Sequence, residues 1–570
     1  MPRWDTGELV DVPRVGWGNL WAFVGPGIVM SASAIGGGEW LLGPTVTARY
    51  GGAMLWLATL SIVFQAFYNI EISRYTLYCG EPIFSGKFRT LPGPWFWVFI
   101  YLLFDFSTVF PYLAASAATP LQVILLGGNL PDPEHNAAHW WLAKGTASGI
   151  FLLGMIPLIF GGKIFNSLRV VMSAKLVIVF GFLLVLAVLY SRPATWAEIG
   201  SGFFKFGNVP VQHGEDWNEN GRLDPGEDWD GDGNLDVVEH KSAAGQLVDI
   251  DGDGFRDGDN ARNLFSALWA GKWPNIDFGL VAFITAMAAI AGNGGLSNTP
   301  MSNYIRDQGW GMGHHVGAIP SFVGGRGIAL SHVGCVFDVN DESRPRWGRW
   351  YWKVVREQLL IWMPACFVGL ALPSMLSVEF LRRGAEAGDW NAAVMTAEGV
   401  RQNVSQPGPG VLAYETGLSQ VLYGEAWGNL FWALTLFCGF LVLATTLIST
   451  TDGIIRRWVD VFWTASRRLR AVDPAFIGHV YFGVLVAYVA FGLVMLWLNK
   501  PAELIKWATL GFNLALGFSC WHTLAINSLL LPRALRPGIF MRLALALGGV
   551  FFVLLFVVTL LNQLGVFRSS

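Results

Sequence analysis

The sequence is poor in charge. Only 14% of its 570 residues are Asp, Glu, Lys or Arg, against about 25% in a soluble domain, which excludes an ordinary water-soluble globule. The 38 basic and 41 acidic residues nearly cancel, for a formal net charge of −3. Without a basic excess, nucleic acid is not an expected partner. Cysteine is scarce too. Cys79, Cys335, Cys366, Cys438 and Cys520 are scattered, with neither metal-site nor disulfide spacing, and read as small apolar packing residues. No nucleophile–base motif and no closed metal constellation is present, so an enzyme is not expected, and nothing calls for an organic cofactor. The first sixteen residues are mostly polar and lead into GPG and GGG rather than a short apolar run with a cleavage site. A retained N-terminus is therefore expected.

What is there is apolar. Hydrophobic residues make up 53% of the chain, with 27 Trp and 40 Phe, a composition that fits a lipid-facing surface with aromatic residues at its interfaces. A bilayer core of about 30 Å takes roughly 20 apolar residues per helix. Eleven stretches qualify, near 19–47, 52–76, 94–126, 147–164, 169–190, 277–305, 357–377, 427–452, 476–498, 502–530 and 540–563. Every even-numbered exit is basic: Arg74, Lys87 and Arg89; Lys163 and Arg169; Arg306, Arg326, Arg344, Arg346, Arg349 and Lys353; Arg456, Arg457, Arg467, Arg468 and Arg470; and Arg533, Arg536 and Arg542. The exit of span 7 departs mildly, with Arg382, Arg383 and Arg401. Positive residues stay inside, so the expectation is an integral protein of a bacterial inner membrane with its N-terminus cytoplasmic and its C-terminus outside. The domains follow: a membrane core at 1–190 with spans 1–5, an extracytoplasmic loop at 191–275, and a second core at 276–570 with spans 6–11.

Between spans 5 and 6 the composition turns acidic. DWNENGRLDPGE places Asp216, Asn218, Asn220, Asp224 and Glu227 at the oxygen positions of a calcium loop, with Gly221 at the sharp turn. DWDGDGNLDVVE does the same with Asp228, Asp230, Asp232, Asp236, Glu239 and Gly233. A third, weaker run supplies Asp249, Asp251, Asp253 and Asp257 but ends in Asn260. The loops abut with no helix between them, so they resemble the tandem DxDxDG repeats of thrombospondin type 3 or dockerin-like modules. Structural Ca²⁺ in the extracytoplasmic loop is the expected cofactor; an acidic linker is the bland alternative.

Two spans carry breaks. SASAIGGGEW puts Gly36, Gly37, Gly38 and Glu39 in the middle of span 1, and AGNGGLSN puts Gly292, Asn293, Gly294, Ser297 and Asn298 in the middle of span 6. Glycine costs about 1 kcal/mol against alanine in a helix, and a charge at this depth costs more. Unwound backbone is tolerated there only where protein buries it or a cavity needs it. Breaks five helices apart mark two five-helix inverted repeats that meet at a midplane binding site; close packing through small residues accounts for the glycines but poorly for Glu39, Asn293 and Asn298. Five further features are singled out. Asp105 in span 3 is a candidate proton relay or the partner of a buried base. Thr446, Ser449 and Thr450 in span 8, with Asp452 beyond, are candidates to coordinate a coupling cation, or hydroxyls bonded to their own backbone. Glu71 and Arg74 read as an internal ion pair, His522 as a core histidine, and His314 and His315 as exposed.

GPGIVMSASAIGGGEW is similar to the first span of the Nramp divalent-metal transporters, where GPG leads through a serine to an Asp-Pro-Gly-Asn break. GNLFWALTLFCGFLVLATTLISTTDGIIRRWVDVFW resembles their eighth span. The resemblance runs loosely over spans 1–11, outside the insertion. It implies the eleven-span inverted-repeat fold of the amino acid–polyamine–organocation transporters, all-α and polytopic, and a proton-coupled secondary transporter of a divalent cation. This chain departs from the family at the metal. Gly36, Gly37 and Glu39 stand where the family has its aspartate, proline and asparagine, and Gly292 to Gly295 replace its Met-Pro-His-Asn. Without a soft sulfur or an imidazole, the oxygen-rich set suits a hard cation such as Mg²⁺ better than Mn²⁺ or Fe²⁺. The alternatives are a small organic solute on the same fold, or a calcium-sensing membrane receptor that carries nothing. The expected partners are the lipid bilayer and the transported cation or solute.

Overall fold

In hydrocarbon every backbone N–H and C=O must find its partner within the chain, and the apolar stretches do so as helices. The computed structural model describes residues 1–13, 25–160, 163–211, 261–271, 273–274, 276–323, 327–381, 394–405 and 423–566. The start of span 1, the calcium-type loops at 214–260, and Arg326, Arg382 and Arg383 lie outside the described residues.

Among the described residues eight helical stretches are long and apolar enough to cross a membrane: Pro26–Cys79, Pro94–Leu125, Ala137–Ile159, Ile164–Tyr190, Ser343–Phe380, Glu425–Ala465, Pro474–Leu498 and Ile539–Gln563. The first has 54 residues, roughly 80 Å if straight, far more than one crossing. It holds spans 1 and 2, parted by a 3₁₀ turn at Gly51–Met54. Spans 6 and 10 are divided, as Val281–Ile290 with Pro300–Asp307 and Pro501–Leu510 with Phe512–Leu529. Helices therefore stand at all eleven expected positions, and the chain is an all-α polytopic membrane protein. Large apolar side chains such as Trp141, Val177, Val188, Leu498 and Leu547 point outward, where lipid meets them.

The differences from expectation have local causes. The helix of span 4 starts at Ala137, not near 147, because Asn136 caps it, its Oδ1 accepting from Ala138 N (2.9 Å) and His139 N (3.4 Å). Lys144 inside it is kept by the Leu496 and Asn499 carbonyls (2.7 and 2.8 Å). Span 3 is kinked: Pro94–Phe106 ends in a 3₁₀ turn and Tyr112–Leu125 begins after Pro111, whose ring holds Phe110 in an extended backbone. The helix of span 8 runs on to Ala465, which takes Arg456 and Arg457 out of the loop expected there and buries both.

Short strands tie the ends. Asp5–Thr6 pairs in parallel with Cys335–Val336. Arg89 Nη1 donates to Pro2 O (2.6 Å), Arg74 Nη1 to Leu535 O (2.9 Å) and Trp463 Nε1 to Leu330 O (3.2 Å). The N-terminus and the exits of spans 2, 6, 8 and 10 therefore share one face. On the other face Arg192 pairs with Glu379 (3.0 Å). There Asn208–Pro210 also pairs antiparallel with Ala261–Asn263, which brings the two ends of 212–260 side by side.

Candidate functional site

The break in span 1 follows from its glycines. The first half-helix, Pro26–Ala34, ends where Ile35 turns extended (φ −78°, ψ 90°), and the chain resumes as a π-turn over Gly38–Leu42 and a helix over Gly43–Tyr50. A Cβ on Gly36 would lie 2.7 Å from Thr446 Cγ2, so glycine is what lets span 8 close on the break. Glu39 is completely buried. Its Oε2 accepts from Gly36 N (2.9 Å) and its Oε1 from Gly292 N (3.4 Å), so a single carboxylate touches both breaks.

In span 6 the helix Val281–Ile290 stops before Gly292, Gly294 and Gly295, which take φ of 128°, 61° and 52°, the left-handed region that favours glycine. Gln65 of span 2 holds this turn. Its Oε1 accepts from Asn293 N (3.0 Å) and Asn298 Nδ2 (2.8 Å), and its Nε2 donates to Ala291 O (3.2 Å), Ala289 O (3.4 Å) and Ser61 Oγ (2.9 Å). Asn293 Nδ2 reaches Asn298 Oδ1 at 3.5 Å. Asn293 Oδ1 is buried and has no hydrogen-bond partner among the described residues. Ser297 is half-buried, its N–H on Gly294 O (2.9 Å).

The carbonyl end of the first half-helix is met by a lysine. Lys175 of span 5 is 2% exposed. Its Nζ donates to Ala32 O and Thr446 Oγ1, both at 2.7 Å, and to Ile35 O. Ser449 Oγ donates to Ser33 Oγ (2.9 Å) beside it, and Thr450 is half-buried on the same helix.

The acidic residues of spans 3 and 8 are bound up in ion pairs. Asp105 accepts from Arg457 Nη2 (2.5 Å), Trp458 Nε1 (2.7 Å) and Thr108 Oγ1 (2.7 Å). Asp452 accepts from Arg456 Nε (2.6 Å) and Tyr481 OH (2.6 Å). Arg456 also pairs with Asp307 (2.5 Å), and Arg306 with Asp460 (2.7 Å). This lattice joins the second half of span 6 to span 8, which itself pairs with span 3 through Arg457. Glu71 and Arg74 pair at 2.9 Å, His522 bonds to Thr90 and Tyr101 (2.8 and 2.7 Å), and His314 and His315 are exposed.

The structure thus brings Gly36–Glu39 and Gly292–Asn298 together at one junction and sets Thr446 and Ser449 behind it, while Asp105 stands in a separate ion pair. The expected calcium ligands are outside the described residues. Sequence reasoning missed Gln65 and Lys175. A lysine inside the apolar run of span 5 was the available signal; Gln65, neutral and isolated, gave none. Among the described residues no three His, Cys, Asp or Glu gather to hold a metal ion.

No family model matches the sequence. The chain is 28% identical over 147 residues to an uncharacterized protein of Pasteurella multocida (strain Pm70), a stretch that is 25% of this chain and 32% of that protein. The chain thus spans about a third of the length of the curated relative it matches. Among solved structures it is similar to the manganese transporter of Eremococcus coleocola in complex with an aromatic bis-isothiourea substituted compound. The TM-score is 0.52 at 14% identity, covering 98% of this chain and 91% of that one. Two variants of the same transporter superpose at 0.51, with the same identity and coverage. At this identity the likeness shows the fold alone, which this chain shares with that transporter.

Proposed function

We propose that the chain is a secondary transporter that carries a hard divalent cation of the magnesium class, bound where the two broken spans meet. The observation that carries this reading is a surplus of acceptors. Glu39 has lone pairs beyond the two N–H groups it accepts, and Asn293 Oδ1, one residue from Gly292, is buried with no donor among the described residues. A buried acceptor without a donor costs about 1–3 kcal/mol, and an electron-poor cargo relieves it. Oxygen donors without thioether or imidazole favour a hard ion. The manganese cargo named for the similar transporter fits a divalent class, not the softness of that ion. A second reading, a small organic amine, is favoured by the amides of Gln65, Asn293 and Asn298, which could orient N–H donors.

Uptake into proteoliposomes separates the two. Mg²⁺ should enter, Mn²⁺ should compete weakly, and organic amines should not compete. Competition by amines with no Mg²⁺ entry would replace the first reading by the second, and Mg²⁺ uptake unchanged in Glu39→Gln would overturn the site. Proton coupling belongs to the same proposal, with Asp105, bonded to Arg457 of span 8, as its relay, so Asp105→Asn should abolish uptake driven by a pH gradient. On this reading the tandem loops at 214–260 hold structural Ca²⁺ on the outer face of a bacterial inner membrane, with the N-terminus cytoplasmic. A Ca²⁺ titration of the full chain, compared with one lacking 212–260, tests that.

A further inference from the structure

We propose that the start of span 7 binds the phosphodiester head group of an anionic phospholipid, from the leaflet on the face that carries the N-terminus. The inference stands whatever the cargo is, since it concerns the lipid-facing surface and not the junction of spans 1 and 6.

The helical stretch Ser343–Phe380 enters the membrane on that face. Residues 349, 352, 353, 356 and 360 follow helical spacing and share one side of it. Arg349, Lys353 and Arg356 put three positive charges there, and beside them Trp352 and Leu360 are 59% and 67% exposed. An outward Trp at the start of an apolar run marks the head-group level, so Arg356 stands where water gives way to lipid. Together with Val12 and Trp352, the three bases line an open groove of about 610 Å³, room enough for a glycerophosphate group. Among the described residues that line it, none is acidic. Asp11 reaches Arg349 (2.8 Å) from the rim, an exposed pair that contributes little. Lys353 Nζ lies over the Trp310 ring, 4.2 Å from its centre, which fixes the charge without neutralising it. Arg356 is exposed and has no hydrogen-bond or ion-pair partner among the described residues.

A cation on a lipid-facing surface is costly unless it is paired. A phosphodiester pairs it, since its anionic oxygens accept two parallel bonds from a guanidinium. Basic pockets at the membrane edge hold lipid head groups in this way, and Leu360 offers the acyl chains an apolar path beyond. On the inward side of the same turn, Glu357 Oε1 accepts from Gly27 N (2.8 Å). The head group therefore sits one residue from the bond that holds the start of the first half-helix of span 1.

The test equilibrates the full chain in detergent with equimolar phosphatidylglycerol and phosphatidylcholine, removes free lipid by size exclusion, and counts the lipid retained. The wild type should keep phosphatidylglycerol over phosphatidylcholine by at least about tenfold. Arg356→Gln and Arg349→Gln, both at exposed positions, should each lower that ratio about fivefold. Arg356→Lys keeps the charge and should stay within about twofold of wild type. Arg542→Gln removes an outward base on the same face but outside the groove, and should leave the ratio unchanged. A ratio unmoved in Arg356→Gln, or an equal fall in Arg542→Gln, would overturn the site. Displacement of the lipid by excess inorganic phosphate would assign the groove to free phosphate and overturn the lipid as its occupant.

Discussion

The breaks in spans 1 and 6 do the same topological job with different chemistry. In span 1 both ends are held by charge: Lys175 on the carbonyls of Ala32 and Ile35, and Glu39 on the N–H of Gly36. In span 6 the ends are held by amides, with Gln65 bonded both to the carbonyls of Ala289 and Ala291 and to the N–H of Asn293. Charged hydrogen bonds are about twice as strong as neutral ones. The first break is therefore the fixed side of the junction and the second the exchangeable side. On the proposed function, the weak hydrogen bond between them, Glu39 Oε1 to Gly292 N at 3.4 Å, is where a cargo would enter without displacing a strong bond.

The largest effect should come from the residue both breaks share. Glu39→Gln removes the charge at the junction and should lower cargo uptake at least tenfold, at unchanged protein yield. Next come the glycines, which separate the two sides on stability. Gly292→Ala must adopt φ 128° and also push Gln65 Oε1 from 2.6 Å, a cost of about 2–4 kcal/mol. Gly36→Ala meets the Thr446 side chain first, its Cγ2 at 2.7 Å, about 1–3 kcal/mol. Thermal unfolding should rank them in that order, and the reverse order would undo the assignment of strain to span 6. Gln65→Leu strips the amide clasp and should cost about 1–3 kcal/mol while raising KM more than it lowers kcat. The smallest effect belongs to the insertion: Asn208–Pro210 and Ala261–Asn263 already hold its ends together, so removal of 212–260 should leave uptake within about twofold of wild type, the entropy of closing so short a gap being small. Loss of all flux would favour the calcium-sensing alternative.

How much of this was legible depended on expense. Gly36–Glu39 and Gly292–Asn298 stood out because glycine and charge are costly in lipid, and that cost located the junction. Lys175 is equally costly, yet one lysine among so many apolar residues leaves the hydropathy of span 5 intact, and its partners are named only by the fold. Arg456 and Arg457 were misplaced for a physical reason. A basic pair at the end of an apolar run normally marks the water, but Asp452, Asp307 and Asp105 neutralise it inside the protein. Removing one member of such a buried lattice, as in Asp452→Asn, costs about 3–5 kcal/mol. Gln65 could not have been found, since a neutral amide in a helix has no meaning until its neighbours are known.

The central claim is that cargo sits where the two breaks meet, and a cysteine placed there reports it directly. The five native cysteines are free and buried, so Asn293→Cys offers a labelling site on a quiet background. In membranes that take up Mg²⁺, saturating Mg²⁺ should slow labelling of this cysteine by a methanethiosulfonate reagent at least about threefold. An unchanged labelling rate while Mg²⁺ is being carried would place the cargo elsewhere and contradict the account.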